Sequence, residues 1–114
     1  MRTLLLLFAT PIILVSCTKK AAPTASLSPC LDTSIATWSK DTPCDDAYVA
    51  EYIFQGKTVF VLHHGTCGAD MTDAVLDKNC QLLGNLGGIT GNMKINGEPF
   101  SNAHSQKIVW KAQR

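Results

Sequence analysis

Apolar residues dominate the chain from Thr3 to Val15, most densely over Leu4–Phe8 and Ile12–Val15, with Pro11 between them. The run is too short to cross a membrane as a helix, which needs roughly 20 apolar residues. From Thr18 to Pro29 the apolar period vanishes. Lys19-Lys20-Ala21-Ala22-Pro23-Thr24-Ala25-Ser26 is small, polar and proline-containing, the composition of a tether. Twelve such residues reach at most ~40 Å when extended. A helical period follows: Ser28-Pro29 has the form of an N-cap with proline at the first helical position. Leu31, Ile35 and Trp38 then share one face at i, i+4 and i+7, ahead of Pro43.

Alternation takes over next. Tyr48–Gln55 and Thr58–His64 are rich in aromatic and β-branched residues and flank Gly56-Lys57, which suits a two-residue type II′ turn. That turn pairs Gln55 with Thr58, Ile53 with Phe60 and Tyr52 with Val61. One face then carries Tyr48, Ala50, Tyr52, Phe54, Val59, Val61 and His63. The other carries Val49, Glu51, Ile53, Gln55, Thr58, Phe60, Leu62 and His64. Both faces are substantially apolar, so one side of the sheet is expected to be covered and the other partly covered. Ala74–Asp77 and Cys80–Leu83 read as two short strands around Asp77-Lys78-Asn79, where Asn can take the left-handed conformation. Lys107–Lys111 reads as a closing strand. The expected fold is α+β: a short N-terminal helix packed on a small antiparallel sheet of four to five strands, with a glycine-rich connection.

Four cysteines lie in this region, Cys30, Cys44, Cys67 and Cys80. In a short exported chain an even number implies disulfides. Extending the hairpin ladder places Cys44 opposite position 69, one diagonal from Cys67 and on the same face. Bridging Cys30 to Cys44 would instead bend the chain back along a helix. The expected bridges are therefore Cys44–Cys67 and Cys30–Cys80. No two of these cysteines have the close spacing of zinc ligands.

The chain's leading segment narrows the setting. Arg2 precedes the apolar run, and Leu14-Val15-Ser16-Cys17 resembles the lipobox of bacterial lipoproteins, whose cysteine is acylated and becomes N-terminal after cleavage. The resemblance implies a signal peptide over residues 1–16, lipidation (palmitate among the acyl groups) at Cys17, a tether over residues 17–29 and one globular domain over residues 30–114. Two or more acyl chains anchor stably where one holds only marginally. Thr18 stands where an aspartate would imply inner-membrane retention, and Lys19-Lys20 replaces the acidic cluster of some surface-exported lipoproteins. The resemblance thus implies the periplasmic face of the outer membrane. Without residues 1–16, 98 residues remain, with nine Lys or Arg against nine Asp or Glu. That balance argues against a nucleic-acid partner.

Five of the eight glycines fall between Gly84 and Gly97. This density fits a compact irregular connection across the sheet, or a binding loop on a rigid scaffold. Several segments together resemble a family of small bacterial lipoproteins with a shared domain of unknown function. They are Glu51-Tyr52-Ile53-Phe54-Gln55-Gly56-Lys57-Thr58-Val59-Phe60, Cys67-Gly68-Ala69-Asp70-Met71, Asp77-Lys78-Asn79-Cys80 and Leu86-Gly87-Gly88-Ile89-Thr90-Gly91-Asn92 with Asn96-Gly97. The resemblance covers residues 30–111. It implies two further cysteines, near Leu83 or Gly84 and near Ile95, which this chain lacks.

Chemistry-bearing groups are sparse. His63, His64, Cys67 and Asp70, with His104, could suggest a metal site, but adjacent strand residues face opposite ways and Cys67 is assigned to a bridge. Asp70, Asp73 and Asp77 lack the spacing of a calcium loop. There is no G-x-S-x-G elbow and no free cysteine nucleophile. The sequence therefore reads as a non-enzymatic binding or interaction module, with no catalytic residue, metal or cofactor. It would be held to a membrane by its lipid and would offer Gly84–Ser105, with Asn92, Asn96 and Phe100 as candidate contacts, to an envelope protein or ligand. The alternative is an inhibitor whose rigid loop blocks a protease or other hydrolase. An inhibitor needs a convex exposed loop, whereas a ligand binder needs a concave apolar pocket.

Cells expressing the chain should incorporate a clickable fatty acid into the mature protein at Cys17, and Cys17→Ala should abolish both labelling and membrane partition. A soluble, unlabelled mature protein would remove the anchor.

Overall fold

The structure is a computed structural model that describes Pro11, residues 27–41 and residues 44–113. The expected signal peptide (Pro11 apart), Cys17 and the tether as far as residue 26 lie outside the described residues. No helix among the described residues is long and apolar enough to cross a membrane.

Among the described residues a single α-helix, α1 (Pro29–Asp41), lies against a five-stranded antiparallel sheet. Its strands are β1 (Tyr48–Phe54), β2 (Lys57–His63), β3 (Thr72–Asp77), β4 (Leu82–Gly87) and β7 (His104–Lys111), in the order β4-β3-β2-β1-β7. Two-residue strands β5 (Lys94–Ile95) and β6 (Glu98–Pro99) form a separate ribbon, followed by a 3-10 turn over Phe100–Asn102. The fold is α+β, as the patterns predict. The helix, however, is mid-chain rather than N-terminal, because a long segment precedes the first packed residue.

The helix starts where its capping residue dictates. The Ser28 hydroxyl accepts the Leu31 N–H at 3.4 Å, and Pro29 occupies the first helical position, where its missing N–H costs nothing. The apolar stripe then goes down onto the sheet. Leu31 and Ile35 are buried against Val49, Phe60, Leu62 and Leu76, while Trp38 meets Trp110 of β7 edge-to-face at 5.6 Å.

The hairpin register departs from the expected one. Phe54 pairs with Lys57, Tyr52 with Val59 and Tyr48 with His63, so the two loop residues are Gln55 and Gly56. Both have positive φ, 52° and 71°, which is the type I′ turn rather than II′. Its twist matches that of the flanking strands, and this outweighs the cost of a left-handed glutamine. Because the pairing moves by an even number, every side chain keeps its face. The same shift brings position 67 opposite position 44. Cys44 is bonded to Cys67, and Cys30 to Cys80.

Two further expectations shift at the second hairpin. β4 begins at Leu82 rather than Cys80 and continues to Gly87, taking the first glycines into the sheet. Left-handed φ belongs to Cys80 (64°) instead of Asn79. The Asp77 carboxylate accepts the N–H groups of Asn79 and Gln81 at 2.8 and 2.9 Å, which sets the turn.

The other face of the sheet carries a second core of Phe54, Val59, Val61, Val75 and Leu86. The glycine-rich connection covers it. Leaving the sheet edge at β4, this segment passes beneath the strands and rejoins the opposite edge as β7, with Ile95 buried and Phe100 packed on Tyr52 and Phe54. Gly84 is needed at the crossing, since a Cβ there would come within 2.8 Å of the Ile95 side chain.

Replacing Cys44 and Cys67 together by Ala should lower the unfolding free energy by about 3 kcal/mol, and replacing Cys30 and Cys80 by about 4 kcal/mol, because the latter closes the longer loop. Urea titrations of the two double variants check the order, and a Cys30–Cys44 peptide in a non-reducing digest would refute both pairings.

Candidate functional site

Antiparallel topology gives the domain two poles. At one lie the turns Gln55-Gly56, Lys78–Gln81 and Asn96-Gly97, with the start of α1 and the Cys30–Cys80 bridge. At the other lie the Cys44–Cys67 bridge, the segment between β2 and β3, the end of β7 and the turn after β4.

Among the described residues this last turn is the most exposed apolar feature. Gly87 and Asn92 exchange backbone hydrogen bonds at 2.8 and 3.3 Å, and the Gly91 N–H donates to the Gly88 carbonyl at 3.1 Å. The loop thereby closed carries Ile89 at its tip, 86% exposed, while Met93 just beyond it is 61% exposed. Leaving an isoleucine in water forfeits roughly 1.5–3 kcal/mol of burial, so nothing in packing accounts for its place here. The sequence does hold a signal for it: a β-branched apolar residue inside Gly88-Ile89-Thr90-Gly91, where turn propensity calls for polar side chains.

The candidate contacts Asn92, Asn96 and Phe100 hold this segment in shape. Asn92 Nδ2 donates to the carbonyls of Asn85 (2.7 Å) and Lys94 (3.0 Å), and its Oδ1 accepts the Lys94 N–H (3.2 Å). The side chain thus closes part of the β4 edge as a paired strand would. Asn96 takes φ 50° in the β5–β6 turn and donates to Gln55 Oε1 at 3.3 Å. Phe100 is half-buried, its ring 5.3 Å from Tyr52 and 5.1 Å from Phe54.

A second cluster surrounds Asp73. Its carboxylate lies 3.6 Å from His63 Nε2 and 3.3 Å from His64 Nδ1, and it accepts the His64 N–H at 3.1 Å. β2 ends at His63, so strand alternation no longer applies to His64 and both imidazoles reach one carboxylate. His63 Nδ1 accepts the Gly65 N–H at 3.0 Å, which leaves its proton on Nε2, and its ring stacks on Tyr48 at 4.6 Å. Burial raises the Tyr48 and Tyr52 phenols above their ordinary range, with Asp73 adding to the effect. Asp46, beside them, is lowered chiefly by hydrogen bonds from the Thr66 hydroxyl (2.6 Å) and N–H. Among the described residues no three His, Cys, Asp or Glu side chains come together as a metal would require. His104 lies at the far pole against Ser105, and Asp77 is engaged in its own turn.

Residues 36–112 match a family described as a domain of unknown function, DUF6970. The chain belongs to that family. No curated protein and no solved structure matches it. The DUF6970 match contains Cys44, Cys67 and Cys80, all five strands of the main sheet and the Ile89 turn. It begins inside α1, so Cys30, the partner of Cys80, falls outside it.

Phe100→Ala should destabilise the DUF6970 domain by about 2 kcal/mol, half or less of the cost for a fully buried ring. Asn92→Ala should cost about 1 kcal/mol, through the loss of its backbone partners. Thermal unfolding of the two variants measures both effects; wild-type stability in either would show that its contacts do not hold the crossing.

Proposed function

We propose that this chain is a non-enzymatic interaction module of the bacterial cell envelope, lipid-anchored through Cys17 and placed at the periplasmic face of the outer membrane. The observation that carries the reading is the convex Gly88–Gly91 turn with Ile89 at its tip. Two disulfides and a two-sided core fix the frame beneath it, so little ordering entropy is lost when a partner closes on the turn. The segment expected to bind is retained in this reading with its duties divided. Asn92, Asn96 and Phe100 set its shape, and Ile89, Thr90 and Met93 make the contact.

The same convexity supports a second reading. A rigid protruding loop with an apolar tip is the shape that enters the cleft of a protease or other hydrolase, so an inhibitor role remains the alternative. The partner's activity separates the two.

In-cell crosslinking from residue 90 should capture an envelope protein, and Ile89→Asp with Met93→Ser should reduce capture at least ten-fold with no change in melting temperature, since both side chains are largely in water. A captured hydrolase that the purified chain inhibits would select the inhibitor reading. Undiminished capture by the variant would remove the turn from the interface.

A further inference from the structure

The two poles differ in charge, and the difference bears on how the domain sits on a membrane. The Ile89 pole carries Asp41, Asp45, Asp46, Asp70 and Asp73 against Lys40 and Lys111. The opposite pole contains a cleft of about 480 Å³ between the β1–β2 and β3–β4 turns, lined by Gly56, Lys57, Thr58, Asp77, Lys78 and Asn79. Lys57 and Lys78 are both exposed there. The one carboxylate in the cleft, Asp77, is turned onto the N–H groups of Asn79 and Gln81. That leaves two ammonium groups, with the Thr58 hydroxyl and the Asn79 amide beside them. Such a set suits a phosphate ester. Asp32, in the first turn of α1, and Glu98, beside the Asn96-Gly97 turn, are the other acids at this pole.

The chain also enters the domain here. Leu27 packs on the first core, and Cys30 is bonded to Cys80, with its sulfur 3.9 Å from the Lys78 carbonyl. The residues leading to Cys17, Lys19 and Lys20 among them, therefore join the domain beside the cleft. The acidic pole is roughly 20 Å away, the length of a seven-residue strand. An anionic surface at the anchor would attract the two exposed cleft lysines and repel the far pole.

We propose that the cleft between the two hairpin turns is a docking site for anionic lipid headgroups, with Lys57 and Lys78 seating their phosphates, so that the domain stands on the membrane by this pole. The proposal rests on the lipid-anchor reading given above. It leaves the Ile89 turn facing away from the bilayer.

The test uses the acylated full chain in vesicles of phosphatidylcholine alone and of phosphatidylcholine mixed with phosphatidylglycerol. Lysine acetylation rates are read residue by residue by mass spectrometry. On the anionic vesicles Lys57 and Lys78 should react about five-fold more slowly than on the neutral ones, an effect lost at high salt, while Lys40 and Lys111 keep their rates. Lys78→Gln should return Lys57 towards its neutral-vesicle rate with the melting temperature unchanged. Equal slowing of all lysines, or slowing confined to Lys40 and Lys111, would overturn the docking. So would the same protection on neutral vesicles with soluble glycerol phosphate, which would make the cleft a site for free phosphate esters. An acylated chain with no slowing overturns the docking alone, and a chain found unacylated and off the vesicles overturns the anchor together with it.

Discussion

The β1–β2 hairpin has no polar side, and the remaining elements are arranged by the need to cover it twice. Val49, Phe60 and Leu62 point one way, and Phe54, Val59 and Val61 the other. α1 covers the first set. The second is covered by the stretch between β4 and β7, largely irregular chain with the short β5–β6 ribbon. With β4 and β7 at opposite edges, that stretch must travel four inter-strand spacings, about 19 Å, beneath the sheet. The segment Gly88–Ala103 is far longer than the distance requires, and the surplus chain is folded into the Gly88–Gly91 turn and the β5–β6 ribbon. Ile95 and Phe100 are the crossing's contribution to the core; its glycines let it lie close to the strands.

The disulfides complete this plan at the places where packing is thinnest. A domain of this size buries a limited apolar area, and a single helix on one face could slide along its stripe. Cys30–Cys80 fixes the start of α1 to the β3–β4 turn. Cys44–Cys67 fixes the chain just past its end to the segment leaving β2. The helix is therefore held at both ends, and each bridge also closes one pole of the sheet. The third thin place is the crossing, where the Ile95 side chain fills the space that Gly84 leaves.

What the sequence made legible follows from which signals are local. Ser28-Pro29 and the Leu31, Ile35, Trp38 stripe specify the helix within a dozen residues, and alternation specifies both faces of the hairpin. Parity survives an even register error, which is why the face assignments and the Cys44–Cys67 neighbourhood held although the turn was placed one residue too late. The turn itself was not legible, because no propensity favours glutamine at positive φ; the twist of the paired strands selects it. The end of β4 was blurred for a related reason. Gly84 and Asn85 are poor strand formers, held extended by pairing with Val75 and Ala74. Within the candidate site the location was readable and the division of labour was not. An exposed asparagine looks the same in sequence whether it meets a partner or, like Asn92, satisfies three backbone groups of its own chain. Convergence of His63 and His64 on Asp73 was hidden because it depends on where β2 stops.

The poles tie these parts to a single orientation. Four successive antiparallel strands make three returns, which must place the β4 exit at the end where β1 begins, away from the β1–β2 turn. Cys30–Cys80 keeps the incoming chain at the turn end. The loop that exposes Ile89 and the chain that leads back to Cys17 therefore leave the sheet at opposite ends as a matter of topology, whatever their sequences. Charge follows the same axis, with five of the aspartates gathered around the Ile89 pole. For a domain tethered at one end, that end is where a surface can be met and the other is where a second protein can reach. An apolar tip at the tethered end would be spent on the bilayer. At the far end, which carries five of the aspartates, it would be kept off an anionic membrane and left open to a partner with an apolar recess.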